Sequence, residues 1–176
     1  MRFSQYQQKF ESLLANSLKG KVKLYGTVHR KAHDQPGKLW ITYNKQEILR
    51  ADDLAFQVHV NRHYAEQSKS LPKISFNEDW EAMFSSKERQ QLVQLHDNLE
   101  QQAMNNMLFP AWELYSALKT LYTLSIEEAL HNANPLVQAL AMLDRRVGKR
   151  RLAKLEIQHP IVCQFHTLRC QAEDIN

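Results

Sequence analysis

The stretch Lys21-Val22-Lys23-Leu24-Tyr25-Gly26-Thr27-Val28-His29 switches the chain from a helical to a twofold period. Val22, Leu24, Gly26 and Val28 alternate with Lys23, Tyr25, Thr27 and His29, as in a strand with one buried and one wet face. The run His33-Asp34-Gln35-Pro36-Gly37-Lys38 predicts a turn, because proline presets φ and glycine accepts positive φ. Leu39-Trp40-Ile41-Thr42-Tyr43 then returns as a second strand, and Asn44-Lys45 connects it to a short third one, Glu47 to Arg50. Together these predict a three-stranded antiparallel meander. Ahead of it, Tyr6, Phe10, Leu13, Leu14 and Ser17 recur at helical spacing, so a helix over residues 5–18, capped by Ser4 and stopped by Gly20, should cover the sheet.

Downstream, residues 52–68 fit two periods. Leu54, Phe56, Val58 and Val60 alternate as in a strand, yet Leu54/Val58 and Phe56/Val60/Tyr64 are also four apart, and a helix capped by Asp52 is the favoured reading. Ser68 to Pro72 reads as a linker, and beyond it the pattern is helical. Ser75 or Asn77 should open a short helix through Trp80 to Phe84. Ser85 and Glu88 have capping-box spacing ahead of a helix with the stripe Leu92, Leu95, Leu99 and Ala103. Pro110 suits the first turn of the next helix, and Ser125 with Glu128 forms another capping box. Asn134-Pro135 starts a helix whose apolar face is Leu136, Leu140, Leu143 and Val147, with Gly148 placed to end it. A last helix from Pro160 aligns Ile161, Phe165, Leu168 and Ala172. The expectation is an α+β protein: residues 1–70 form a helix, the meander and a connecting helix, and residues 71–176 form a helical bundle packed with them.

Charge is uneven along the 176 residues. Residues 1–63 carry 11 basic and 5 acidic groups, residues 64–140 carry 5 and 10, and residues 141–176 carry 7 and 4, giving the net +4. Such a split suits attraction between parts of the chain as well as an external anionic partner. The four glycines, Gly20, Gly26, Gly37 and Gly148, are too far apart for a dinucleotide or P-loop phosphate cradle. G-x-S-x-G and H-E-x-x-H are also absent. On one helix, Cys163 and Cys170 would lie about 10 Å apart, beyond disulfide reach, so free thiols are expected. With no apolar signal region and no membrane-length apolar run, the expected compartment is the cytoplasm.

The densest motif is Leu143-Asp144-Arg145-Arg146-Val147-Gly148-Lys149-Arg150-Arg151-Leu152-Ala153-Lys154, with six cations and one carboxylate. Arg145, Arg146, Lys149, Arg150 and Arg151 could clamp phosphates or an acidic protein surface, because arginine presents a bidentate fork. The structural alternative places them at a helix C-terminus, where the dipole is negative, with Asp144 pairing an arginine. A helix-turn-helix over 126–147 is disfavoured, since Pro135-Leu136-Val137 stands where a recognition helix needs polar base contacts. No exposed aromatics interleave these arginines, which weakens nucleic-acid binding by this segment. Chemistry could otherwise reside in His59, His63 and Glu66, which share a helical face suited to a metal, or in Cys163 and His166 as thiol and base. Such cysteines are more often small apolar fillers of a second packing face. Tyr25, Trp40, Tyr43, Trp80 and Trp112 could anchor a surface, though most are expected at the core or its edge.

The phrase Ala141-Met142-Leu143-Asp144-Arg145-Arg146-Val147-Gly148-Lys149-Arg150-Arg151-Leu152 resembles the signature of a family of small, uncharacterised bacterial proteins of about this length. Ser125-Ile126-Glu127-Glu128-Ala129-Leu130, Leu168-Arg169-Cys170-Gln171-Ala172-Glu173, Trp40-Ile41-Thr42 and Glu47-Ile48 extend the resemblance over nearly the whole chain. Phe3 and Asp174 depart from it, standing where the family pattern has tryptophan and glycine, and residues 85–108 are more individual. The resemblance implies no established activity, substrate or cofactor. The functional expectation is a non-catalytic cytoplasmic protein that binds an acidic protein or RNA partner through the basic segment, with no cofactor, membrane or sequence-specific DNA. Binding of RNA or another phosphate ligand, an antitoxin or immunity role, and a metal-dependent or thiol enzyme are the alternatives.

Overall fold

A computed structural model describes residues 2–29, 31, 33 and 35–175. Helix α1 (Phe3–Leu13) precedes strands β1 (Val22–Val28), β2 (Gly37–Tyr43) and β3 (Gln46–Asp52), which pair antiparallel in the order β1-β2-β3. Tyr25, Trp40 and Arg50 align across the three strands, and a bulge interrupts the β2–β3 register between Ile41 and Thr42. Asn44 and Lys45 both take positive φ, +49° and +68°, the conformation of a two-residue hairpin whose twist matches its strands. The turn expected over 33–38 includes Asp34, which lies outside the described residues.

The predicted alternation becomes two unlike faces. Val22, Leu24, Leu39, Ile41, Leu49 and Ala51 are buried beneath α1 and later helices, whereas Lys23, Tyr25, Thr27 and Arg50 are exposed on the other side. At Gly26 the inner face leaves no room, since a Cβ there would lie 2.7 Å from both Leu39 Cδ2 and Phe3 Cε2. Glycine here permits the close approach of α1.

Helix α1 is shorter than its apolar spacing predicts. Its N-cap is Arg2, whose backbone N–H donates to Gln5 Oε1 at 2.8 Å, so Ser4 lies inside the helix. It stops at Leu13 because Leu14 leaves helical geometry to bridge Asp144, and Gly20 takes φ +76° in the turns that follow. Residues 52–68 resolve as the helix, α2 (Asp53–Gln67), with Asp52 Oδ1 accepting from Ala55 N–H at 3.2 Å. Asp53 joins three elements: its carboxylate accepts from the N–H groups of Gly37 and Ala111, each at 2.7 Å.

After a 3-10 turn at Ser68–Ser70 come α3 (Trp80–Phe84), α4 (Lys87–Asn105), α5 (Ala111–Leu121), α6 (Ile126–Leu130), α7 (Pro135–Met142), α8 (Lys149–Leu152) and α9 (Pro160–Ala172). Asp79 caps α3, in place of an opening at Ser75 or Asn77; the Asn77 side chain accepts from Asp79 N–H instead. Ser86, not Ser85, caps α4, because the Ser85 hydroxyl donates back to the Glu81 carbonyl and so closes α3. Pro110 is the N-cap of α5 and not its first-turn residue, since its ψ of 154° is extended. The Ser125–Glu128 capping box and the Asn134 cap form as expected. One core runs from Phe10 and Leu24 through Leu114 and Leu140 to Phe165, and a smaller one joins Phe56 and Val60 of α2 to Leu99 and Ala103 of α4. Tyr122 ties α5 to α1, its hydroxyl donating to the Tyr6 carbonyl at 2.7 Å, and burial pushes its phenol far above the ordinary range.

Candidate functional site

The segment from Leu143 to Lys154 is a pinned loop and a short helix, where the apolar spacing predicts a continuation of α7. Arg145 N–H donates to Leu13 O at 2.8 Å and Ala15 N–H to Leu143 O at 3.0 Å, so the chain pairs there with the end of α1 and the residues after it. That pairing ends α7 at Met142. Gly148 therefore starts a helix instead of ending one: it is the N-cap of α8, in extended geometry. The four apolar residues assigned to one stripe, Leu136, Leu140, Leu143 and Val147, are nonetheless all buried.

Two buried charges hold this loop. The Asp144 side chain is fully buried; its Oδ1 accepts from Arg146 N–H at 2.8 Å, and Oδ2 from Arg146 Nε at 3.0 Å and Nη2 at 2.7 Å. Arg146 also donates to the Leu124 carbonyl at 3.0 Å. From α9, Arg169, only 3% exposed, donates to the carbonyls of Leu143 and Val147, both at 3.3 Å, and pairs with Glu173 at 3.0 Å. Burial pulls the Arg169 guanidinium below its usual range, and Glu173 pushes it back. Ser17 donates to the same Glu173 oxygen at 2.9 Å, which links α9 to the turn after α1. These bonds give the Val147 carbonyl a donor where the chain leaves helical geometry, and give Leu143, already paired with Ala15 N–H, a second one.

The five candidate contact residues thus divide. Arg146 is held by Asp144, Lys149 Nζ donates to the Glu173 carbonyl at 2.8 Å, and Arg151 pairs with Glu127. Arg145 and Arg150 are exposed, and among the described residues their side chains have no hydrogen-bond or ion-pair partner. Lys154 is in the same state. Arg169 was not a candidate, although its position four residues after Phe165 and next to Leu168 places it on the apolar face of α9, where an arginine needs partners.

The chemical candidates do not assemble as their spacing suggests. His63 Nδ1 is 2.8 Å from the His59 carbonyl, and Glu66 pairs with Arg62 at 3.5 Å, so the three groups do not converge on a metal position. The metal-compatible trio among the described residues is His96, Asp97 and Glu100 on α4, which is largely open to solvent. Cys163 and Cys170 are free thiols, and His166 meets Cys170 in place of Cys163, with Sγ 3.5 Å from Nε2. Nε2 also lies 2.8 Å from the Leu152 carbonyl. A carbonyl only accepts, so Nε2 carries the proton, and the ring's accepting nitrogen, Nδ1, stands farther from the sulfur at 3.9 Å. Burial raises the Cys170 thiol as well, the direction opposite to activation.

The large aromatics are more exposed than expected. Trp80 is 65% and Trp112 53% exposed, Phe84 is open beside Trp80, Phe76 is exposed as well, and Tyr25 and Trp40 stack across β1 and β2 at 5.5 Å. The architecture is that of an α+β protein with an N-terminal helix on an antiparallel meander and a helical C-terminal region. The sequence matches the profile of the SF0329 protein family over residues 2–170, and the chain belongs to that family. No curated protein and no solved structure matches it.

Proposed function

We propose that this chain is a non-catalytic binding protein that engages an acidic protein surface through the exposed edge of the 143–154 segment, with Arg145 and Arg150 as the principal contacts and Lys154 beside them. The observation that carries the reading is the division of the cluster: Arg146, Lys149 and Arg151 have internal partners, while Arg145 stands free on a backbone pinned to Leu13 and Arg150 stands free on α8. Free cations on a fixed backbone meet a carboxylate partner without first ordering a loop. Residues 143–154 contain no aromatic side chain, which favours a carboxylate surface over stacked bases. The cytoplasm suits free thiols.

The test is affinity capture with the full chain beside an Arg145→Glu/Arg150→Glu variant whose melting temperature matches it. A bound acidic protein that elutes as salt rises and is lost from the variant is expected. Capture of the same proteins at the same salt by both forms would overturn the reading.

A further inference from the structure

The chain's largest excess of positive charge lies outside the segment just described. From Lys19 to Arg50 there are eight lysines and arginines and two carboxylates, Asp34 and Glu47, a net of +6 that exceeds the +4 of the whole chain. This stretch contains β1, β2 and most of β3. Its buried face is closed by the core, so Lys23, Tyr25, Trp40 and Arg50 point to the opposite, open face.

We propose that this open sheet face binds single-stranded nucleic acid, with bases stacking on the Tyr25–Trp40 pair and Lys23 and Lys38 taking the flanking phosphates. Tyr25 and Trp40 are cross-strand partners whose rings, 5.5 Å apart and 16° from parallel, stack on one another across two adjacent strands and form an aromatic platform that an unpaired base can extend. Every base has a π-face, so such a platform accepts unpaired bases without regard to sequence, whereas a duplex hides those faces. Lys38 Nζ lies 5.9 Å from the Trp40 ring centre and Lys23 is exposed two residues before Tyr25, so cations border the platform as a phosphate backbone requires. Lys38 also contacts Asp52 at 3.6 Å, and Arg50 is held by Glu47 at 2.6 Å. The Arg50–Glu47 pair is open to solvent and the Lys38–Asp52 pair is half-buried, with the longer N–O separation, so a phosphate can compete with either carboxylate. The aromatics missing among residues 143–154 are present here, and this inference is independent of the protein partner proposed for that segment.

Binding of fluorescein-labelled RNA and DNA strands of about 12 nucleotides, and of the corresponding duplex, to the full chain tests the proposal. Single strands are expected to bind at least about tenfold more tightly than duplex, with a log–log salt slope near about −2 for some three phosphates. A preference for RNA would point to contacts with the 2′-hydroxyl, and equal binding to stacking and phosphate contacts alone; both outcomes support the platform. Tyr25→Ala, on an edge strand, and Trp40→Leu should each weaken binding by about fivefold or more, and Lys23→Glu should weaken it and flatten the slope. Tyr25→Ala and Lys23→Glu replace exposed residues and keep the test valid if Trp40→Leu fails to fold. Arg145→Glu/Arg150→Glu should leave this binding unchanged. The proposal is overturned by no binding of either strand at about 50 mM salt, by equal binding of duplex, or by aromatic variants that bind like the parent protein.

Discussion

Arg146 and Arg169 lie against the interior, hydrogen-bonded to Asp144, Glu173 and the carbonyls of Leu124, Leu143 and Val147, whereas Lys23 stands in solvent on an open sheet face and Arg50 only meets a neighbouring glutamate. The two regions are both conspicuously basic in sequence, but their charge serves different ends. Around residues 143–154 a sharp change of backbone direction buries carbonyls that need donors, and arginine reaches two of them at once. On the sheet the backbone is served by its own ladder and, along the edges, by the Gln7 and Gln164 amides that donate to the Leu24 and Ile48 carbonyls, so the cations of the outer face have no such task. A run of cations therefore states nothing about binding until the needs of the nearby backbone are known.

The comparison can be broken most forcefully at Arg169. Arg169→Ala strips a donor from two buried carbonyls and leaves Glu173 without its cation, so urea unfolding should show a loss of about 3–5 kcal/mol. A loss below about 1 kcal/mol would show that the loop does not depend on it. The sheet's closed face is next: Gly26→Ala must displace both Leu39 and Phe3 and should cost about 1–3 kcal/mol. Lys23→Ala, three residues earlier on the open face, should stay within about 0.5 kcal/mol, and equal effects would contradict the two-faced sheet.

Tyr122 provides a control outside both basic regions. Tyr122→Phe removes the phenol's hydrogen bond to the Tyr6 carbonyl, which keeps its bond within α1, for a loss of about 1 kcal/mol at neutral pH. Burial raises the phenol above its unfolded value, so the stability it provides is complete below about pH 10 and is lost as pH rises further. The variant should lose less stability than the parent protein on going into that alkaline range, with a remainder from Tyr115, which burial also raises. An unchanged alkaline profile would remove Tyr122 from this role. The smallest effect is expected at Arg145 and Arg150, where single alanine substitutions should shift stability by no more than about 0.5 kcal/mol. A larger loss would move either residue to the structural side of the comparison.

What could be read directly in the sequence was local. The twofold alternation at Val22–Val28, the Asp52 cap of α2 and the Asn134-Pro135 start of α7 are each decided by residues within a few positions of one another. Ser85 and Ser86 offer the same hydroxyl one residue apart, and only the closing of α3 selects which of them caps α4. The end of α7 was hidden for a different reason. Leu143 and Val147 keep the helical apolar spacing because both are buried, but Asp144 between them pairs with Leu14, far away in sequence. For the candidate contacts, the cluster and the pairing of Asp144 with an arginine were visible and the rest of the division was not, since Glu127 and Glu173 lie far off in sequence. Cross-strand register, equally non-local, is what sets Tyr25 beside Trp40.

A double-mutant cycle with Asp144→Ala and Arg146→Ala, read by urea unfolding, tests most directly the claim that the basic segment is built into the fold. Because Arg146 keeps a third of its side chain in solvent, the predicted coupling is about 1–2 kcal/mol, less than for a wholly buried pair. Additive losses, with a coupling below about 0.3 kcal/mol, would contradict the account and return Arg146 to the cations free to meet a partner.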